Sequence, residues 1–257
     1  DAHQIADALT ALAERLAAPP LKLLVRPSAA AGDRTLNRLI VSRGRTQVQI
    51  ETTPVMRGAV HPARRMNLRA SVERQFGSAQ VQVLHFADLY AGKLAATLSR
   101  QHPRDLFDIG VLFDTTGLEI ELWRTFLVYL TASAKPAAEM LQPSEPRNFA
   151  AVFNSQFRGM TREPVTVEWL LEGRARLMRR IADLVDDTAR DFLISVEREA
   201  PDFTLIGLPH AAHLPGIRRK LQNLAQRTPA KREADYRQLA QTLERIAKQA
   251  HDQTLKG

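Results

Sequence analysis

Apolar residues recur at intervals of three and four from Ile5 to Leu16. This spacing predicts an amphipathic helix over residues 1–17, which the two prolines after it bring to an end. The pattern then changes to one that favours strands. A first strand is predicted at 21–25, and the alternation of apolar and polar residues on both sides of Gly44 predicts a β-hairpin.

Helical periodicity dominates after residue 85, whereas residues 55–79 read as irregular with a short helical piece, followed by a brief strand to residue 84. A His-Pro pair interrupts the helical pattern and predicts two helices, 86–100 and 104–113, that meet at a tight corner. Further helices are predicted at 119–133, 136–142, 147–157, 166–185, 187–197, 214–226 and 230–250. The sequence therefore predicts an α+β fold, with a sheet domain at 1–85 and a mainly α-helical domain at 86–257.

The composition is that of an ordinary folded domain, with 257 residues, 44% of them apolar and 25% charged. The absence of cysteine excludes disulfides, zinc–thiolate and iron–sulfur sites and cysteine nucleophiles, and is compatible with a reducing compartment. Neither a membrane span nor a secretory signal is readable, so a cytoplasmic protein is expected. Because the first residue is Asp1 rather than methionine, we expect that residues precede it.

The chain is basic, with 36 Lys or Arg against 28 Asp or Glu and a formal net charge of +8. This balance favours polyanionic partners such as nucleic acid or nucleotide phosphates. Residues 218–257 hold ten of the basic residues and only four acidic ones, so the excess is concentrated in the tail. A solvated helix face is the alternative interpretation for any single lysine there.

Polar residues are concentrated around the predicted helix corner. Lys93 lies on a polar stripe of the first helix, and Arg104, Asp105 and Asp108 lie on the second, so a helical hairpin would bring Lys93 against Asp108. One interpretation is a structural ion-pair cluster that fixes the corner, which spacing alone favours. The other is a triphosphate site, because a lysine held by an acid can stabilise phosphate charge.

Glu51 stands at the end of the second hairpin strand, where a rigid sheet could let its carboxylate hold magnesium. The alternative is an exposed strand-end glutamate. His102 either touches a nucleotide or has a role at the helix corner, and His210 and His213 have the spacing of a metal pair but are more simply loop histidines. The motifs GxxxxGK[ST], GxGxxG, GxSxG and HExxH do not occur, which removes the main support for several large enzyme classes.

Three runs resemble one family. These are LHFADLYAGKL at 84–94, RQHPRDLFD at 100–108 and VQIETTPVMRG at 48–58. They are similar to the AbiEii/AbiGii-type nucleotidyltransferase toxins, which belong with the MenT-like proteins to the DNA polymerase β-like nucleotidyltransferase superfamily. The resemblance is most specific between residues 36 and 115, and the basic helices after residue 214 are similar in kind.

The resemblance implies a nucleotidyltransferase fold and a bacterial toxin–antitoxin or abortive-infection protein, in which magnesium supports transfer of a nucleoside monophosphate from an NTP to an RNA acceptor such as the tRNA 3′ end. A cognate antitoxin is the other implied partner. By position, Lys93 matches the family lysine that contacts the nucleotide phosphates, and Asp108 completes the lysine–aspartate motif. Arg104 and Asp105 belong to the same nucleotide-binding run. Glu51 falls at the third, sheet-borne carboxylate, a metal ligand.

The chain departs from the family at its start, where a Gly-Ser motif followed by an Asp-x-Asp pair is expected and neither occurs. Two-metal transfer needs several carboxylates around ions about 3.5–4 Å apart, so Glu51 alone cannot assemble the site. The chain taken alone is therefore expected to be inactive, with the motif expected upstream of Asp1. The rival hypothesis is a catalytically inactive, basic RNA- or partner-binding protein of the same fold.

Overall fold

The computed structural model describes the backbone of residues 2–29, 35–52 and 57–254. The chain forms two compact units, Asp1–Met56 and Arg57–Gly257. This division lies earlier than the change to helical periodicity at residue 85, because the start of the segment between the two positions packs with the helices: Val60 is buried in their core and its N–H donates to the carboxylate of Asp88. The assignment of functional domains to 1–85 and 86–257 stays a prediction.

The first unit is a helix packed on a three-stranded antiparallel sheet. Its elements are α1 (Ala2–Ala17), β1 (Leu24–Ser28), β2 (Arg38–Arg43) and β3 (Thr46–Glu51), and the strand order is β1-β2-β3. Leu9 of α1 and Leu39 and Val41 of β2 form the buried core. The predicted hairpin is confirmed, with Val41 opposite Val48 and Gly44 at φ +58° in the turn, a backbone conformation that favours glycine.

The second unit begins with a two-stranded antiparallel sheet whose strands flank a short helix. Its elements are β4 (Arg64–Asn67), α2 (Ala70–Phe76) and β5 (Gln80–Val83). Sequence patterning predicted α2 and β5 but not β4. Because all four side chains of β4 are exposed, the strand lacks the apolar alternation by which strands are recognised.

Helices make up the rest of the second unit. They are α3 (Phe86–Arg100), α4 (Pro103–Thr115), α5 (Ile120–Thr131), α6 (Ala137–Leu141), α7 (Phe149–Gln156), α8 (Val167–Leu184), α9 (Asp187–Glu197), a 3₁₀ helix (Pro209–His213), α10 (Pro215–Ala225) and α11 (Pro229–Thr254). The predicted helices are confirmed, most of them to within two residues at each end, because prolines and polar caps mark their boundaries. Together the units confirm the predicted α+β class.

The main core of the second unit lies around α3 and α5, where Leu94, Trp123 and Phe126 are fully buried. Helices α4 and α8 approach each other closely through two glycines. A Cβ on Gly173 would lie 3.4 Å from the Cα of Gly110, and the ring of Trp169 covers Gly110. This contact fixes α4, which carries Asp108, against the body of the unit. Each helix that the structure describes is either too short or too polar to span a lipid bilayer.

Candidate active site at the corner between two helices

The corner between α3 and α4 is only two residues long. Gln101 ends α3 in the left-handed conformation, and the Nδ1 of His102 accepts a hydrogen bond from the backbone N–H of Arg104 at the start of α4. This confirms the helix-corner role of His102. The Thr97 hydroxyl lies 2.8 Å from the Lys93 carbonyl and 3.2 Å from the Asp105 carbonyl, so it links the two helices beside the corner.

Lys93 and Asp108 meet across this corner, with the lysine Nζ 2.5 Å from Asp108 Oδ2. The side chains keep 31% and 35% of their surface exposed, so they are neither sealed in the interior nor fully solvated. The contact predicted from helical spacing is therefore present. Its exposure leaves the ammonium accessible to an anionic ligand, and the catalytic roles of the two residues stay predictions.

Asp105 and Arg104, the other residues of the matched run, have different surroundings. Asp105 forms a two-bond pair with Arg100, at 2.7 Å to Nη2 and 3.0 Å to Nε. The hydrogen bond to Asp105 raises the pKa of the Arg100 guanidinium. Arg104 is exposed in the first turn of α4. Asp105 thus already has a cation partner, whereas Arg104 faces solvent.

Glu51 belongs to the first unit, at the end of β3, and is 54% exposed. Its Oε1 lies 2.5 Å from Nη2 of Arg38 on the paired strand, so an arginine already contacts this carboxylate. The other acids that the structure describes before Glu51 are Asp7 and Glu14, both exposed on α1. No group of three neighbouring carboxylates occurs among the described residues. These residues therefore do not by themselves fit a two-magnesium centre.

Asp88 is a buried carboxylate that the sequence analysis did not single out, and it is only 1% exposed. Its Oδ1 accepts hydrogen bonds from the Val60 N–H at 2.7 Å and the Tyr129 hydroxyl at 2.9 Å, and its Oδ2 accepts one from the His61 N–H at 2.9 Å. Burial, the negative charge of Asp88 and this hydrogen bond raise the pKa of Tyr129. The burial of Asp88 could have been predicted from its spacing on α3, because Asp88 shares a helix face with buried Ala91.

A cleft of about 460 Å³ lies between α3 and the end of α5. Small residues line it along α3, and Arg57, Arg100 and Lys135 bring three cations to it, of which Arg100 is paired with Asp105. The Lys135 ammonium is held by the carbonyl of Ser99. The cleft has the volume of an ordinary ligand site and the charge for a phosphate group.

Much of the positive charge of the tail is already paired within the fold. Arg227 bridges the buried carboxylates of Glu197 and Asp235, and Arg232 pairs with Glu199. Lys220 is buried, and its desolvation lowers its pKa. The concentration of basic residues in the tail therefore does not translate directly into an open basic surface.

Comparisons with known proteins identify one family. The model for the family described as nucleotidyl transferase AbiEii toxin, type IV TA system, matches residues 1–245. The chain has no significant match among curated proteins or among solved structures. The family match spans both compact units, including the lysine–aspartate corner.

Proposed function

The chain belongs to the AbiEii family of nucleotidyltransferase toxins of type IV toxin–antitoxin systems, and we propose that it transfers a nucleoside monophosphate from an NTP to the 3′ end of an RNA such as tRNA. In this reaction the 3′-hydroxyl oxygen of the acceptor attacks the α-phosphorus of the NTP. The bond between that phosphorus and the oxygen bridging to the β-phosphate breaks, pyrophosphate leaves with the electron pair, and the hydroxyl proton passes to solvent.

The Lys93–Asp108 contact carries this proposal. An ammonium that is one-third exposed can exchange part of its solvent contact for triphosphate oxygens, while the carboxylate 2.5 Å away keeps it in place. A fixed positive charge beside phosphate oxygens stabilises the charge that develops as pyrophosphate leaves. We assign phosphate binding to Lys93 and its positioning to Asp108. Arg104, exposed on the next helix, is assigned to the same nucleotide, and so is Asp105, which pairs with Arg100.

Magnesium dependence is part of the proposal. We assign Glu51, the described carboxylate at the end of β3, as one oxygen ligand of the ion. Glu51 is half exposed and would exchange its contact with Arg38 for the ion. A complete two-ion centre requires carboxylates in addition to Glu51.

The RNA acceptor is supported by the net charge of +8 and by the cleft beside α3. We assign the cleft to a phosphate of the acceptor, because Arg57, Arg100 and Lys135 supply charge there while small residues leave space. Membership of a toxin–antitoxin family implies a cognate antitoxin as a further partner. We place the reaction in the cytoplasm, where tRNA is available.

The test incubates the protein, with any residues that its gene encodes before Asp1, with magnesium, each labelled NTP in turn and tRNA. We expect label on tRNA with a free 3′-hydroxyl and none on tRNA whose 3′ end is oxidised by periodate or carries a phosphate. Lys93→Ala and Asp108→Ala should each reduce transfer at least 100-fold. Asp114→Asn removes a carboxylate of a comparable exposed ion pair on the same helix and should leave transfer unchanged. Absence of label on every RNA tested would overturn the proposal.

A second candidate is a non-catalytic RNA-binding protein of the same fold. It is favoured by the lack of a carboxylate cluster among the described residues. It predicts tRNA binding that magnesium and NTP do not convert into labelled product. Salt dependence of RNA binding would not separate the candidates, because phosphate contacts make both weaken with salt.

A further inference from the structure

Two histidines and a glutamate come together on the second unit. One ligand atom from each of His61, His85 and Glu121 lies within 4.8 Å of the other two. His61 precedes β4, His85 is the N-cap of α3, and Glu121 is in the first turn of α5. The two imidazole rings are 4.6 Å apart between centroids. Three separate segments of the chain thus converge on one point.

We propose that His61, His85 and Glu121 bind a divalent first-row transition ion of the zinc class. Two imidazole nitrogens and one carboxylate oxygen are a ligand set that suits zinc, whereas magnesium prefers oxygen ligands. Three protein ligands leave a fourth position of a tetrahedral ion for water. This ligand set differs from the oxygen ligands that magnesium prefers, and the proposal holds whether or not the chain is a nucleotidyltransferase.

The surroundings of His61 fix its ring in a state that can bind a metal. The Thr125 hydroxyl donates its hydrogen to the Glu121 carbonyl at 2.9 Å, so its oxygen accepts a hydrogen from Nε2 of His61, also at 2.9 Å. With its proton on Nε2, the ring presents the lone pair of Nδ1. A hydrogen bond that sets the tautomer through the second ring nitrogen is the usual support of a metal-binding histidine.

The backbone of His61 is fixed as well, because its N–H donates to the buried carboxylate of Asp88. The same carboxylate binds Val60 and Tyr129, so the segment before β4 is attached to both α3 and α5. The position of His61 is therefore set by the fold before any ion arrives, which reduces the ordering that binding requires.

His85 makes a long hydrogen bond that a metal ion could replace with little loss of stability. Its Nδ1 accepts a hydrogen bond of 3.3 Å from the Ala87 N–H, slightly longer than the usual range of about 2.7–3.2 Å. Binding through Nδ1 would displace this N–H, and binding through Nε2 would move the proton to Nδ1, so either mode exchanges the cap bond for the metal bond.

Glu121 supplies the adjustable ligand. Zinc holds nitrogen and oxygen ligands at about 2.0–2.2 Å, so ligand atoms around a tetrahedral ion lie about 3.4 Å apart. The cluster must therefore close by no more than about 1.4 Å, because its ligand atoms lie within 4.8 Å of one another. Glu121 is exposed, whereas both histidines are half-buried, so rotation of the glutamate side chain can bring its carboxylate to the histidines without disturbing the core. Any closure between the two imidazole nitrogens takes rotation of the rings themselves.

The test measures metal binding by the purified full chain after treatment with a chelator. We expect one Zn²⁺ per chain by calorimetry, and one Co²⁺ with the visible absorption of a tetrahedral ion, displaced by Zn²⁺. Zn²⁺ should raise the Tm, because an ion that binds only the folded state stabilises it. His61→Gln, His85→Gln and Glu121→Gln should each abolish the Co²⁺ spectrum, and Thr125→Val should weaken Zn²⁺ binding about 10–100-fold through loss of the bond that orients His61.

Two control variants remove a carboxylate and an imidazole that lie outside the proposed metal site. Glu119→Gln changes an exposed carboxylate two residues from Glu121, and His213→Gln changes an exposed histidine of the 3₁₀ helix. Both should keep the stoichiometry and the spectrum. Absence of a stoichiometric tetrahedral Co²⁺ complex in the parent protein, or a Glu121→Gln variant that binds Zn²⁺ as tightly as the parent, would overturn the proposal. Because Glu121 is exposed, this variant should fold normally, and the readout does not depend on nucleotidyl transfer.

Discussion

The Lys93 ammonium and the Asp108 carboxylate lie 2.5 Å apart across a two-residue corner, and each keeps about a third of its side-chain surface exposed. Ion pairs with this exposure contribute little to folding, because water and salt screen them. A pair that matters little for stability but lies in the segment of closest family resemblance is well suited to hold a charged ligand.

Substitution of Lys93 or Asp108 should distinguish a role in ligand binding from a role in folding. Lys93→Ala and Asp108→Ala should each lower the free energy of unfolding by no more than about 1 kcal/mol in urea titrations. The same variants should lose nucleotidyl transfer. If instead either variant unfolds while Asp114→Asn does not, the pair is a structural support of the corner and its assignment to phosphate binding is wrong.

Asp88→Asn should destabilise the fold, although the amide has nearly the same shape as the carboxylate. The carboxylate accepts three hydrogen bonds in a buried position, and an amide can accept only through its oxygen, so at least one buried donor loses its partner. We expect a loss of about 1–3 kcal/mol in unfolding free energy. Asp183→Asn, an exposed exchange on α8, serves as the control and should change stability by less than about 0.5 kcal/mol.

Tyr129 should make stability depend on pH in the alkaline range. Its pKa is raised in the fold, chiefly by burial, so above about pH 10 the unfolded chain loses the phenol proton while the folded chain keeps it. The stabilisation is fully present below that pH and is lost as pH rises. Tyr129→Phe should therefore show a shallower decline of unfolding free energy between pH 9 and 11 than the parent. Parallel declines would show that Tyr129 does not titrate in this way.

Two alanine substitutions at helical glycines should have opposite effects. A Cβ on Gly110 would lie 2.2 Å from the Trp169 ring, so Gly110→Ala forces α4 and α8 apart and should cost about 1–3 kcal/mol despite the better helix propensity. A Cβ on Gly92 would meet Tyr129 at an ordinary 3.6 Å. Gly92→Ala should therefore gain about 0.5–1 kcal/mol, as measured by thermal and urea unfolding.

The cationic cleft can be tested separately from the nucleotide site. Arg57→Gln and Lys135→Gln should raise the KM for tRNA several-fold, leave the KM for NTP unchanged and reduce the salt dependence of tRNA binding. Arg162→Gln removes an exposed arginine that does not line the cleft and should change none of these. Equal effects of all three variants would point to general charge rather than to a site in the cleft.

Local patterns predicted the elements well, and the reasons lie in particular residues. The helices on both sides of His102 were predictable because Pro103 can begin a helix but cannot lie inside one. Their meeting followed from helical spacing, so the Lys93–Asp108 contact was predictable too. Strand β4 was not, because Arg64-Arg65-Met66-Asn67 has no apolar face and is held by its pairing with β5.

Contacts between distant residues could not be predicted from the sequence. His61 and Thr125 are 64 positions apart, and Asp88 and Tyr129 are 41 apart, so neither pair leaves a local spacing signal. For the same reason, the number of basic residues in the tail does not predict how much positive charge the tail exposes. Arg227 is one of its basic residues, but the fold pairs it with Glu197 from α9, which a count within the tail does not include.

The short corner between α3 and α4 gives the number of residues separating Lys93 from Asp108 a geometric meaning. The two residues are 15 positions apart in the sequence. The end of α3, the two-residue corner and the start of α4 lie between them. Each helical residue advances the side-chain direction by about 100°. Adding or deleting one residue between them in either helix would therefore rotate one partner away from the other, so the contact depends on the length of this interval.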